Sequence, residues 1–313
     1  MGAVVIEYHP ELLESLAELY SQYADPSMGL NPFPVEHWES LFIRPELDPR
    51  RDVLIISDRD NPSDPSGASF SWLYSKHAPS HIYLRGPYHS PNHPHVERLL
   101  DEMLLEVQKR AEEYRAGHIE GRSLYKQWEE AYIRAGFQRM GAYERWRLFP
   151  LKGSVPVHDA PEGGYIRKWQ GMGDIEILMR LFAESFGEHW DYVPPRRSDY
   201  EEIFRGRQFS PELLYTGYEG ESPVCFIFGE GMYDYTLPTL NAAYLVSIAV
   251  NSESRTRGWG RALLSRWLRA VYQSGGRAVE LDVDTDNESA KALYEGFGFR
   301  CMRTEHVWRK YLR

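Results

Sequence analysis

The sequence predicts two α/β units in tandem. Three observations predict it: the length of the chain, an internal repeat, and a strand–glycine loop–helix stretch in the second half. The chain has 313 residues, long for one core and natural for two, and 42% of them are hydrophobic, enough to fill both. Glu130-Ala131-Tyr132-Ile133-Arg134-Ala135-Gly136-Phe137 is echoed by Ala292-Leu293-Tyr294-Glu295-Gly296-Phe297-Gly298-Phe299. Tyr132 and Tyr294 stand 162 residues apart, as do Trp146 and Trp308. The helix face Leu99, Leu100, Met103, Leu104, Val107 returns as Leu263, Leu264, Trp267, Leu268, Val271 at an offset of 164, a two-residue indel.

In the first unit, residues 1–149, Val4 to Tyr8 reads as a strand, and Leu12 to Tyr23 and Val35 to Phe42 as helices. Val53 to Ser57 and Ala68 to Tyr74 are strands joined by a turn-rich loop holding Asn61, Pro62, Asp64 and Pro65. A linker follows over 150–164, with three prolines, three glycines and little apolar content. The second unit, 165–313, opens with the strand Tyr165 to Lys168, then a helix from Asp174 to Phe186 and a helical stretch from Tyr200 to Arg205. Leu214 to Glu219 and Val224 to Tyr233 form a hairpin around Gly220-Glu221-Ser222-Pro223. The apolar run Ala243 to Val250 is a buried strand, and Arg261 to Tyr272 an amphipathic helix.

Between that strand and helix lies Arg255-Thr256-Arg257-Gly258-Trp259-Gly260. The first turn of a helix carries N–H groups with no intrahelical acceptor and the positive end of the macrodipole. A glycine turn lets a ligand approach that backbone, so the stretch is an anion cradle suited to a pyrophosphate. It lacks the third glycine of the dinucleotide fingerprint and the Gly-Lys-Ser/Thr of a P-loop.

The Arg-x-x-Gly-x-Gly loop, followed by Asp286-Asn287-Glu288-Ser289-Ala290-Lys291-Ala292-Leu293-Tyr294 and Gly298-Phe299, resembles the coenzyme A site of the GNAT N-acetyltransferases in order and spacing. The likeness covers residues from about 165 to 313. It implies two tandem GNAT acyltransferase folds, each a mixed, mostly antiparallel sheet flanked by helices, and acetyl-CoA as co-substrate. Carried over by position, the backbone around Ile248, Ala249 and Val250 would pair with the pantetheine arm. Arg255, Arg257, Gly258, Trp259, Gly260 and Arg261 would meet the pyrophosphate, Asn287 would help to hold the cofactor, and Tyr294 would be the acid for the leaving thiolate. Tyr294 could instead be packed helix surface. Two units, the first without a loop, are further similar to the mycothiol synthase family, also at Ala183-Glu184-Ser185-Phe186-Gly187-Glu188-His189-Trp190. That family's glutamate at the start of the strand before the loop is matched here by Tyr244, so the likeness carries the tandem architecture and not the substrate.

The expected reaction is direct transfer of acetyl to a primary amine of a small molecule. A peptide or protein amine is the alternative acceptor, and a non-catalytic acyl-CoA sensor or assembly module the alternative class. An amine must lose its proton to attack, so a base is required. Glu188, His189 and Asp191, or Glu230 and Asp234 on the hairpin, are the candidates, and histidine exchanges protons near neutrality. His189-Trp190 could equally pack between helices.

The first unit lacks the cradle. Its matching stretch, Pro91 to Arg98, has no glycine, and its prolines remove N–H donors. Tyr125 stands opposite Asn287, so the unit reads as a degenerate copy with a structural role. A net charge of -10 argues against nucleic acid or an anionic membrane as partner. The start has no basic, apolar leader, and no apolar run spans a bilayer. Two cysteines make no disulfide framework, so a reducing cytoplasm is the expected location. Five of the eleven histidines lie between His77 and His95, but no cysteine is near and no metal is expected. Monomer and homodimer are left open.

Overall fold

The structure is a computed structural model that describes residues 3–24, 28, 35, 38–39, 48–58, 69–75, 81–89, 95–190, 192–205, 209–233 and 240–312. It divides into two compact units. One is residues 1–143 together with 302–313, the other residues 144–301.

The first unit contains β1 (Ala3–Ile6), α1 (Leu13–Tyr23), β2 (Val53–Asp58), β3 (Ser69–Ser75), β4 (His81–His89), α2 (Val96–Glu113), β5 (His118–Ser123), α3 (Lys126–Arg134) and the start of β6 (Gln138–Leu148). The second contains the end of β6, then β7 (Gly164–Lys168), α4 (Ile175–Phe186), α5 (Arg197–Arg205), β8 (Phe209–Glu219), β9 (Ser222–Tyr233), β10 (Leu240–Val250), α6 (Trp259–Gln273), β11 (Ala278–Asp284) and α7 (Glu288–Gly296). The last strand, β12 (Arg300–Tyr311), returns to the first unit from Met302 on. The expected helix over 35–42 lies largely outside the described residues.

Strands of the first unit run in the order β1-β2-β3-β4-β5-β12 and those of the second in the order β6-β11-β10-β9-β8-β7. In each, one neighbouring pair is parallel, β4 with β5 and β10 with β11. The pairings β1 with β2, β2 with β3, β3 with β4, β7 with β8, β8 with β9 and β9 with β10 are antiparallel. Each sheet is thus mixed and mostly antiparallel, with helices flanking it.

The units are not cut where sequence order suggests, at a linker between 149 and 165. Each repeat's last strand completes the sheet made by the other repeat. Charge pairing fits this exchange. Arg309 of β12 donates to Glu120 of β5, and Arg145 and Arg147 of β6 donate to Glu280 and Asp282 of β11. The stretch 150–164 is held to the second unit. Leu151 is buried and its N–H donates to Arg277 O, while the N–H of His158 donates to Ser265 Oγ.

In the first unit Leu16 and Leu19 of α1, Val53 to Ile56 of β2, and the expected α2 face of Leu99, Leu100, Met103, Leu104 and Val107 share one core. The second unit has a core on each face of its sheet. Leu263, Leu264, Trp267, Leu268 and Val271 of α6 pack with Leu245, Val279 and Leu281. Ile175, Leu178 and Leu181 of α4 and Tyr200 of α5 pack with Leu214, Phe226 and Phe228. Strand alternation makes this possible, since Cys225 and Ile227 face α6 while Phe226 and Phe228 face α4. Among the described residues no helix is long and apolar enough to cross a membrane.

One pair in the first unit sets a pH dependence. The rings of His81 and His118 stack at 4.7 Å and 5° between β4 and β5. Burial, then His81 and then Arg309 push the His118 imidazole down to about 4. The unfolded chain therefore binds the proton first, near 6.5, and stability falls as pH drops from there towards 4. Half exposure screens the effect, leaving about 1–2 kcal/mol. Between pH 7 and pH 4.5 the unfolding free energy from urea titration should fall by that much more for the native chain than for His118→Asn. Equal falls would remove His118 from the account.

Candidate active site

The site is built where β10 parts from β11. The two strands pair in parallel only from Ala242↔Ala278 to Leu245↔Leu281, although β10 runs on to Val250 and β11 to Asp284. On its other side β10 stays paired with β9 to Val250↔Cys225, with a register shift between Leu245 and Ser247. A bulge of this kind leaves its extra residue, Val246, outside the ladder and bends the strand. The N–H of Asn251 donates to Val224 O, on the β9 side. Antiparallel alternation therefore turns the N–H and C=O of Ile248 and Val250 to the opened edge, and those of Ala249 towards β9. The backbone of Ile248 and the N–H of Val250 thus face away from β9, and Ala249 serves the ladder and core.

The chain then turns into the first helical turn of α6. Gly258 sits at φ +99, a backbone region that side-chain-bearing residues rarely adopt. Thr256 is at φ +64, unusual for a β-branched residue and a place where the loop stores strain. The first intrahelical bond runs from the N–H of Ala262 to Gly258 O. The N–H groups of Trp259, Gly260 and Arg261 precede it and lack an intrahelical acceptor, no side chain caps the helix, and its first turn holds no acidic residue. The helix starts two residues before the expected Arg261 because Gly258 supplies the turn.

The side chains of the loop divide their tasks. Arg261 is exposed and makes no hydrogen bond or ion pair among the described residues. Arg255 donates to Val250 O at 3.3 Å and Ser185 O at 3.4 Å. Arg257 is paired with Glu219 at 2.7 Å. The Trp259 side chain faces the core, 1% exposed, and its indole N–H donates to the same Glu219 at 2.8 Å. Those contacts, the Trp259 bond first, hold the Glu219 carboxyl below its usual value. Trp259 thus offers a ligand its backbone only. Gly260 also has a packing reason, since a Cβ there would lie 3.3 Å from Leu293 on α7.

On α7, the Asn287 side-chain oxygen accepts from the Ala290 N–H at 3.1 Å and so caps the helix. Tyr294 is 5% exposed, its ring against Trp146 and Phe299. Burial first, and Tyr244 second, push its hydroxyl well above the ordinary tyrosine range, so it holds its proton at neutral pH.

The α4 face of the sheet carries a set of charges that the sequence reading passed over. Glu280, Asp282 and Asp284 alternate along β11 with the buried Val279, Leu281 and Val283. Arg145 binds Asp282 through two nitrogens, at 2.5 and 3.0 Å, and Glu280 at 3.1 Å. The Tyr244 hydroxyl donates to Asp282 at 3.0 Å. Glu230 is opposite Tyr244 in register, hence on the same face. At the end of β11, Asp284 takes His189 Nε2 at 2.9 Å and the Trp190 indole N–H at 2.6 Å on one oxygen, and the Asp286 N–H on the other at 2.8 Å. Burial pushes the Asp284 carboxyl up, but these three donors outweigh it and hold the group below its usual value. Glu188 is exposed. Asp191, Asp234 and His93 lie outside the described residues. The hydroxyls of Ser185 and Ser247 are buried with no hydrogen-bond partner among the described residues. Among the described residues no acid, histidine or cysteine cluster could hold a metal.

The first unit uses its matching positions differently. Tyr125 precedes α3 without a side-chain cap, where Asn287 caps α7. Tyr132 is buried, its hydroxyl has no hydrogen-bond partner among the described residues, and its ring stacks on Trp308 at 5.9 Å. A Cβ on Gly121 would come within 2.2 Å of that hydroxyl. Tyr132 fills a core.

Residues 175–299 match the model of the acetyltransferase (GNAT) family. A mycothiol acetyltransferase of Thermobispora bispora is 28% identical over 188 residues, which cover 58% of this chain and 61% of that protein. The chain thus matches less than two thirds of that relative's length. A GCN5-related N-acetyltransferase from Sphaerobacter thermophilus superposes with a TM-score of 0.80 at 17% identity, covering 99% of this chain and 96% of the other. A tandem GNAT protein from the clavulanic acid biosynthesis pathway superposes with a TM-score of 0.68 at 13% identity, covering 99% and 98%. At such identities the structural likeness establishes the fold, two GNAT units in tandem, and nothing finer. Over residues 175–299 the second unit is thus similar to the acetyltransferase (GNAT) family, on a fold shared with a tandem GNAT protein.

Proposed function

We propose that the second unit is an acetyl-CoA-dependent N-acetyltransferase acting by direct attack of a primary amine of a small molecule. The observation that carries this reading is the departure of β10 from β11 after Leu245 and Leu281, leading straight into uncapped N–H groups at the start of α6. That arrangement suits an extended, amide-bearing arm ending in a pyrophosphate. Acetyl-CoA supplies the thioester carbonyl. The backbone of Ile248 and Val250 binds the arm as an added strand would. The N–H groups of Trp259, Gly260 and Arg261 and the Arg261 guanidinium take the phosphates. Asn287 shapes the start of α7 rather than serving chiefly as a ligand.

Val246, released from the ladder by the bulge, is the residue whose N–H meets the charge that develops on the carbonyl oxygen. Tyr294 retains its proton until a thiolate forms and then donates it. His189 takes the amine's proton, its ring oriented by Asp284 as a carboxylate orients a catalytic imidazole. Glu230 and the β11 carboxylates outnumber Arg145 and Arg147 on the same face, which draws a cationic acceptor there.

Calorimetry with acetyl-CoA should give one site per chain, and an amine panel read by mass spectrometry should give an acetylated product. Two sites would restore a cradle to the first unit. No binding would end the proposal.

A further inference from the structure

A cleft of about 440 Å³ lies in the second unit between the segment after β6, the middle of α6 and the end of α7. It shares no residue with the cradle, and of its lining only Arg147 also reaches the charged face of β11. Its volume is that of a small-molecule site. The inner wall is apolar. Leu151 and Leu268 are buried there, and Val155 and Phe297 pack against the same core. Phe149 stands at the lining with 70% of its surface exposed.

The charges of this cleft are one-sided. Arg147, Lys152 and Arg300 line it, and no acidic residue does, in a chain whose net charge is -10. Arg147 is held by Glu280. Lys152 and Arg300 are exposed and, among the described residues, make no ion pair or hydrogen bond. Two uncompensated cations beside an apolar wall select a ligand with one anionic end and an apolar body. From this we infer that the cleft is a binding site for a small amphipathic carboxylate, an aromatic or short acyl acid, with the carboxylate at Lys152 and Arg300 and the body against Leu151, Leu268 and Phe297.

The position gives such a ligand a route to the chemistry. Phe297 and Phe299 each donate a backbone N–H to Tyr294 O, at 3.0 and 3.1 Å, so the cleft touches the turn that ends the helix of the proposed acid. The binding inference itself does not rest on the catalytic reading.

Calorimetric titration of the full chain with 4-phenylbutyrate, and separately with its neutral amide, tests it without any activity assay. The carboxylate should bind at one site, and about tenfold more tightly than the amide. Saturating coenzyme A should leave that binding in place. Lys152→Glu and Arg300→Glu, both at exposed positions, should each weaken it about tenfold with an unchanged circular dichroism spectrum. Equal affinity for amide and carboxylate, displacement by coenzyme A, or indifference to both substitutions would overturn the inference.

Discussion

Tyr294→Phe is expected to bind acetyl-CoA as the native chain does and to lose about 100-fold or more in kcat. The ring is 5% exposed and packed by Trp146 and Phe299, contacts that phenylalanine retains. Only the hydroxyl is removed. Burial and the neighbouring Tyr244 keep that hydroxyl protonated across the neutral range, as an acid for a leaving thiolate must be. A sensor that never turned over would show no difference between the two chains in binding or in rate. Thiol release gives kcat and calorimetry gives the donor affinity. A variant that turns over at the native rate would take the acid role from Tyr294 and return it to the packing seen at Tyr132.

Trp259→Ala is expected to cost the second unit about 3–5 kcal/mol, the range for removing a large buried aromatic side chain. The indole reaches β7 and β8 so closely that a Cβ on Gly164 or Gly217 would come within 2.7 or 2.6 Å of it. Its N–H and Arg257 share Glu219, so truncation also leaves a carboxylate with one donor fewer. Because Trp259 opens α6, its loss should loosen the N–H groups of that turn, and acetyl-CoA affinity should fall with stability. Trp259→Phe keeps most of the packing and loses only the Glu219 bond, for which about 1–2 kcal/mol is expected. Urea unfolding measures both. An alanine variant as stable as the native chain would mean that the turn is anchored elsewhere.

What could be read in the sequence was local. Glycines at 258 and 260, the five-residue apolar face of α6 and the Asn287 to Phe299 block specify strand, loop and helix from their own neighbours, and the structure places them so. Partners distant in the chain escaped. Arg257 reads as a phosphate ligand until Glu219, on β8, is beside it. Asp284 looks like one acid in an acidic turn, yet it is the residue that seats His189 and Trp190. The alternation Glu280-Leu281-Asp282-Val283-Asp284 was the signal, acids on one face of a strand whose other face is core. The placement of β6 and β12 had no local signal, because a strand's neighbours are chosen by pairing and not by order in the chain.

The exchange of those two strands bears on how the protein is made. Residues 302–313 are synthesised after both repeats are otherwise made, and they belong to the unit of residues 1–143. Residues 1–143 therefore wait for residues 302–313 before their sheet has β12. Removing residues 302–313 would injure the first unit before the second. A gene cut between the repeats would yield two halves, each with an edge strand made for the other and a vacancy where its own should be.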